Sequence, residues 1–292
     1  MHGMLVILGL WVPWMVRHWG APSFGRKRVL GLLIFPAVWL TCTAIAIVGM
    51  GPHGHLMGIH CAAGWLGSFS GWWAWGWLLW AGLQGLRILL RAGQARELWQ
   101  RMTTPAVVQG YSVWLWEESM PWAAQVGLWR SRIVISRGMV DLLSPEHLKA
   151  VLAHEAGHGQ FRDPMWFQVW EWLMRCAPGF PHGESLWQEM LFQQEVRADR
   201  FAQAQTSGLL LAEALVLVQQ HLHAMASPVL TRRIADQKSG VCAAVGDRLE
   251  ERIKAMLRSP DEIQDACRWP YLEPLESMLA ALPLAWIPLH IL

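Results

Sequence analysis

Charge is what this 292-residue chain has least of. Charged residues make up 16% of it, against about 25% in a typical soluble domain. No acidic or basic block exceeds three residues, and with a net charge of +2 the chain offers nucleic acid no basic footprint. Tyrosine is nearly missing, with two residues beside 21 tryptophans. The five cysteines (Cys42, Cys61, Cys176, Cys242 and Cys267) are odd in number and scattered. None forms a C-x-x-C pair, so neither a disulfide framework nor a zinc ribbon is signalled, and free, mostly buried thiols are expected. Hydrophobic residues reach 53%. That share excludes disordered and fibrous classes and favours an integral membrane protein, in which tryptophan enrichment follows from the interface.

Val29 to Met50 is an uncharged apolar run long enough to cross a bilayer, even with Pro36 inside it. Leu56 to Leu86 is also free of charge and interleaves six tryptophans with glycines, small residues that let helices approach closely. Met1 to Val16 is short and holds Pro13. It lacks a basic n-region and an A-x-A site, so it reads as an uncleaved anchor rather than a signal peptide. Arg17, Arg26, Lys27 and Arg28 follow the first segment, and Arg87, Arg91, Arg96 and Arg101 follow the third; residues 51–55 carry no charge. The excess of positive charge puts both basic segments in the cytoplasm.

The expected organisation is a membrane anchor of two to three helices over 1–86, a basic amphipathic linker helix over 87–104, a catalytic domain over 105–258, and a C-terminal segment over 259–292. Apolar residues from Leu275 to Leu292 form either a fourth span or a membrane-surface hairpin. Within 105–258, Ser112-Val-Trp-Leu-Trp116 and Arg132-Ile-Val-Ile-Ser136 are β-prone, and helical periodicity follows over 144–160, 165–176, 184–207, 209–226 and 248–257. Ser144, Pro145 and Glu146 supply an N-cap, a proline at the first helical position and an acid in the first turn. The fold class is therefore a mainly α membrane protein with a cytoplasmic α+β domain built on a small sheet.

The helix opened by Ser144 contains His154-Glu155-Ala-Gly-His158. Histidines four apart share one helical face, so both can reach one ion, and Glu155 beside them can hold and deprotonate a metal-bound water. A catalytic zinc needs a third protein ligand. Glu195 and Asp199, four apart in Glu195-Val-Arg-Ala-Asp199, suit that ligand and a carboxylate that orients a ligand histidine.

Arg132–Leu143, the Ser144–His158 segment, Arg162-Asp-Pro164 and Glu195–Arg200, taken in order, resemble the integral-membrane gluzincin metallopeptidases. The likeness is to the BlaR/MecR antirepressor-type peptidases and, beside them, the HtpX and CAAX-prenyl-protease type. It spans about Thr104 to Leu257. It implies a zincin-like domain holding one Zn2+ per chain on His154, His158 and Glu195, with Glu155 as general base and Asp199 behind a ligand. Arg252-Ile253 resembles an arginine-bearing helix near the end of such domains. A penicillin-binding sensor domain and a many-span chamber are not seen, so β-lactam sensing is not implied.

The expected activity is zinc-dependent hydrolysis of peptide bonds at a juxtamembrane site in the plasma (inner) membrane. The expected partners are a peptide or protein substrate, the lipid bilayer and a sensor or regulatory partner of unknown kind, with no nucleic acid. A non-proteolytic zinc-binding scaffold is the alternative. A di-iron oxygenase ranks behind both, because the chain has one H-x-x-x-H and no H-x-x-H-H. His53, His55 and His60 read as an interfacial polar loop or a metal or haem site, His182 as a candidate oxyanion donor, and Arg132–Ser136 as either an edge strand for substrate or an internal one.

Overall fold

The computed structural model describes residues 2–20, 29–50, 55–56, 59–60, 65–225, 248–256 and 282–285. They fall into two compact units. Described residues within 1–89, 169–187 and 270–292 form the first, and those within 90–168 and 188–269 form the second.

The first unit contains α1 (His2–Gly20), α2 (Val29–Met50), the start of α3 (Trp65–Met102), most of α6 (Asp163–Cys176) and the start of α7 (Gly183–Gln203). The two-residue strands β1 (His55–Leu56) and β2 (Ile59–His60) pair antiparallel, His55 opposite His60. Residue 53 lies outside the described residues. Small residues set the packing. Ala37 and Leu40 of α2 meet Ala81 of α3 and Cys176 of α6, and Trp172 Nε1 donates to the Ala81 carbonyl at 2.8 Å. A Cβ at Gly9 would stand 3.2 Å from Thr43 Cγ2, so the glycine brings α1 close to α2.

Among the described residues one helix, α2, is long and apolar enough to cross a membrane by length and composition. The run expected to span over Leu56–Leu86 enters α3, and α3 continues unbroken to Met102. The linker helix expected over Arg87–Met102 is therefore the end of the same helix, because no proline or other breaker separates the two. Trp72, Trp75, Leu79, Leu83 and Leu86 are exposed along it. Leu282–Ala285 form a short 3-10 turn; the rest of the apolar tail lies outside the described residues.

The second unit is built on a four-stranded sheet in the order β3-β4-β6-β5. β3 (Thr103–Val108) and β4 (Tyr111–Trp116) form a hairpin turned by Gln109 and Gly110, both at positive φ (49° and 82°) as a tight hairpin requires. β6 (Arg132–Ser136) runs parallel to β4 and antiparallel to β5 (Ala123–Val126). Arg132–Ser136 is thus internal, paired on both sides, and its burial fits: Ile133 to Ser136 are all buried. The edge strands are β3 and β5.

After β6 come α4 (Arg137–Leu142), a short helix the periodicity does not signal, α5 (Pro145–Gln160), α8 (Gly208–Met225) and α9 (Leu249–Met256). Ser144 caps α5 as its sequence implies, its Oγ accepting from the His147 N–H at 3.3 Å. Val113, Leu115, Ile133 and Ile135 of the sheet pack with Leu148 and Leu152 of α5 and Leu211 of α8 in one core. That core fixes α5 against the sheet with its opposite face turned toward α7.

Candidate metal centre

The site is assembled from three helices and a turn of the second unit. α5 carries His154, Glu155 and His158; α7 carries Glu195, Arg197 and Asp199; α9 carries Arg252; and Asp163 stands at the first position of α6. Gly157 makes the approach of α7 possible, since a Cβ there would lie 3.1 Å from Phe201 Cδ1.

His154, His158 and Glu195 converge, each offering one ligand atom within 4.8 Å of the others. The two Nε2 atoms stand 3.2 Å apart, and the Glu195 carboxylate lies 3.5 Å from His154 Nε2 and 3.6 Å from His158 Nε2. Both imidazoles are buried and Glu195 is nearly so. Each ring is held from behind. His158 Nδ1 lies 2.7 Å from Asp163 Oδ2, and Asp163 in turn accepts from Arg197. His154 Nδ1 lies 2.9 Å from Asp199 Oδ1, an ion pair when the ring is protonated. Turning both Nδ1 atoms toward carboxylates leaves both Nε2 atoms for a shared ion.

The donor set fits zinc: two nitrogens and one carboxylate, buried, with both histidines oriented from outside. His154, His158 and Glu195 are thus a group that could hold a metal ion. Glu155 follows His154 on α5, is buried, and lies close enough to His158 and Arg252 to interact with their charges.

Arg252 supplies the counter-charge. Its Nε and Nη2 donate to the two Asp199 oxygens at 2.9 and 2.7 Å, and Nη1 lies 3.0 Å from Glu195 Oε2. Burial pushes both carboxyls up, but Arg252 and the histidines outweigh it and hold Glu195 and Asp199 below the usual carboxylate range. Burial likewise opposes a charged His154, yet Asp199 and Glu195 raise it to about 10.

In the metal-free protein His154 is therefore a cation at neutral pH, and its raised value adds stability below the ordinary histidine range that fades as pH climbs through about 10. Zinc must displace that proton, so affinity should rise with pH up to about 10. Calorimetric zinc titrations in buffers of different ionisation enthalpy should show proton release. A binding heat independent of buffer would contradict the protonated apo site.

Asp163 is the functional residue whose role sequence reading missed. It is fully buried between His158 and Arg197. Its signal was its position next to Pro164, as the start of a helix five residues past His158. Asp163→Asn should cost zinc affinity about 10- to 100-fold. Competition with a chelating dye measures it, and an unchanged affinity would remove Asp163 from the site.

His182 belongs to the first unit, its ring 6.4 Å from that of His18. No curated protein and no solved structure matches the chain. Residues 93–229, a little under half of the chain, match the family model described as Peptidase family M48, a span that includes His154, Glu155, His158, Glu195 and Asp199. The match supports a metallopeptidase function and a zinc metallopeptidase family for the domain that carries the site.

Proposed function

We propose that the chain is a membrane-anchored, zinc-dependent endopeptidase of the integral-membrane gluzincin kind, working at a cytoplasmic juxtamembrane site. The observation that carries this reading is the convergence of His154 Nε2, His158 Nε2 and the Glu195 carboxylate in a buried cluster with Glu155 alongside. Zinc bound there would supply Lewis acidity, easing deprotonation of water and polarising a carbonyl. Glu155 takes the proton of the attacking water and hands it to the departing amine nitrogen as the peptide C–N bond breaks. Asp199 and Asp163 hold the two histidines in the tautomer that presents Nε2.

Substrate would enter along β5. Its outer edge is unpaired in the sheet, and its Gln125 side chain reaches Gly159 of α5. An extended peptide adds to such an edge by backbone hydrogen bonds. A groove of about 860 Å³ opens nearby, lined by Trp114, Gln125, Arg132, Ala156 and Gly159 among others. Anchoring is supported by α2, by the exposed tryptophans and leucines of α3, and by the arginines clustered at Arg87–Arg101.

The test uses the full chain in detergent: zinc per chain, and cleavage of an unfolded casein-like protein before chelation, after it, and after zinc is restored. About one zinc per chain and chelator-sensitive, zinc-restored cleavage are expected. Zinc without cleavage of that substrate or of a broad peptide library would favour the non-proteolytic scaffold. Absence of zinc binding would sink the site.

A further inference from the structure

The first unit holds a positive charge that the peptidase reading does not use. Arg17 lies in the last turn of α1 and is 2% exposed. Among the described residues neither its Nε nor its Nη2 has a hydrogen-bond partner. A guanidinium cannot shed its charge by losing a proton, so burying one without a counter-charge is among the costliest arrangements a fold can hold.

The side chain is aimed at a helix end. Nη2 and Nη1 lie 3.5 and 3.6 Å from the point where a Cβ on Gly183 would stand, and Gly183 is the first residue of α7. The first turn of a helix presents unsatisfied N–H groups and a partial positive charge of its own. A buried cation set against that end is repelled unless an anion lies between them. Glu184, the acid of that first turn, is exposed and does not share Arg17's burial. His182 precedes Gly183, and its ring lies 6.4 Å from His18, itself stacked on Trp14 at 4.8 Å.

We propose that Arg17 and the first turn of α7 form a binding site for a phosphate group. Arginine's planar fork matches two phosphate oxygens, and helix N–H groups take the others. The same chemistry is offered by a phospholipid headgroup and by free phosphate. The headgroup is favoured by α1 itself, where Ile7, Leu10, Trp11 and Trp14, in the turns that precede Arg17, are exposed as an acyl chain would need. This site is independent of the metal centre, and its test does not read peptidase activity.

The full chain is delipidated in phosphate-free detergent and compared with Arg17→Met. Native mass spectrometry titrates phosphatidylglycerol, with diacylglycerol as the control that lacks phosphate; thermal midpoints are read with and without inorganic phosphate. Wild type should bind phosphatidylglycerol roughly 10- to 100-fold more tightly than Arg17→Met, the ratio for losing charge-assisted hydrogen bonds, and diacylglycerol should not tell them apart. Stabilisation of wild type alone by inorganic phosphate, without lipid discrimination, would place the source in free phosphate and keep the site. If neither probe distinguishes the two proteins, the proposal is overturned, a carboxylate of this chain as Arg17's partner being one such case. Should Arg17→Met fail to run as a monodisperse species, Arg17→Lys, which keeps the charge but loses the fork, carries the comparison with weakened binding expected.

Discussion

Replacing Glu155 with glutamine should stop peptide cleavage while leaving the metal in place. The amide has nearly the size of the carboxylate, so the buried pocket it fills on α5 is preserved. It cannot accept the proton of an attacking water or return one to a leaving amine. Removing general acid–base assistance costs typically 10²- to 10⁴-fold in turnover, which for an unfolded-protein substrate is indistinguishable from no activity in an ordinary assay. Glu155 is outside the group of His154, His158 and Glu195, so zinc per chain should match wild type. His154→Ala and Glu195→Ala should behave differently, losing the metal with the activity. Measuring metal and cleavage on the same three preparations separates the roles. A Glu155→Gln protein that lost its zinc would reassign Glu155 as a ligand.

Much of this centre could be read from local spacing, and what could not shares one physical feature. His154 and His158, or Glu195 and Asp199, are four apart, and a helix turns that spacing into a common face. Ser144-Pro145-Glu146 announces where α5 begins, and the structure starts the helix at Pro145. Asp163 obeys no such rule. It reaches His158 because Arg162 takes positive φ (55°) and turns the chain between two helices, a backbone choice that no side-chain periodicity records. Arg252 meets Asp199 across 53 residues, so the contact depends on where α9 packs. The hydrophobic run of Arg132–Ser136 reads alike whether one or both edges are paired; only the partners β4 and β5 decide that it is internal. In α3 the apolar and arginine-bearing stretches look like two elements because their solvents differ, although the backbone runs through both.

Arg252 carries the second large effect. Its guanidinium is 4% exposed and touches both Asp199 and Glu195. Arg252→Leu would leave these carboxylates facing each other across one turn of α7, with protonated His154 as the nearest compensation. Breaking a buried ion pair from one side typically costs 3–5 kcal/mol, and the metal-free variant should lose about that much. Zinc brings two positive charges to Glu195, so the loss should shrink in the zinc-loaded protein. The pH dependence has a definite sign. Arg252 is the main force holding the two carboxyls low against burial, so its contribution is fully present above the ordinary carboxylate range and is lost as pH falls through the depressed values. The gap between wild type and variant should therefore be widest near neutrality and close in acid. Thermal midpoints of both apo proteins from about pH 2 to pH 8, and of both zinc-loaded proteins near neutrality, reach below the ordinary carboxyl range, where the contribution is lost. A gap equal with and without zinc, and flat with pH, would mean that Arg252 merely fills space between α7 and α9. A gap that zinc narrows would show that the arginine and the metal balance the same buried negative charge.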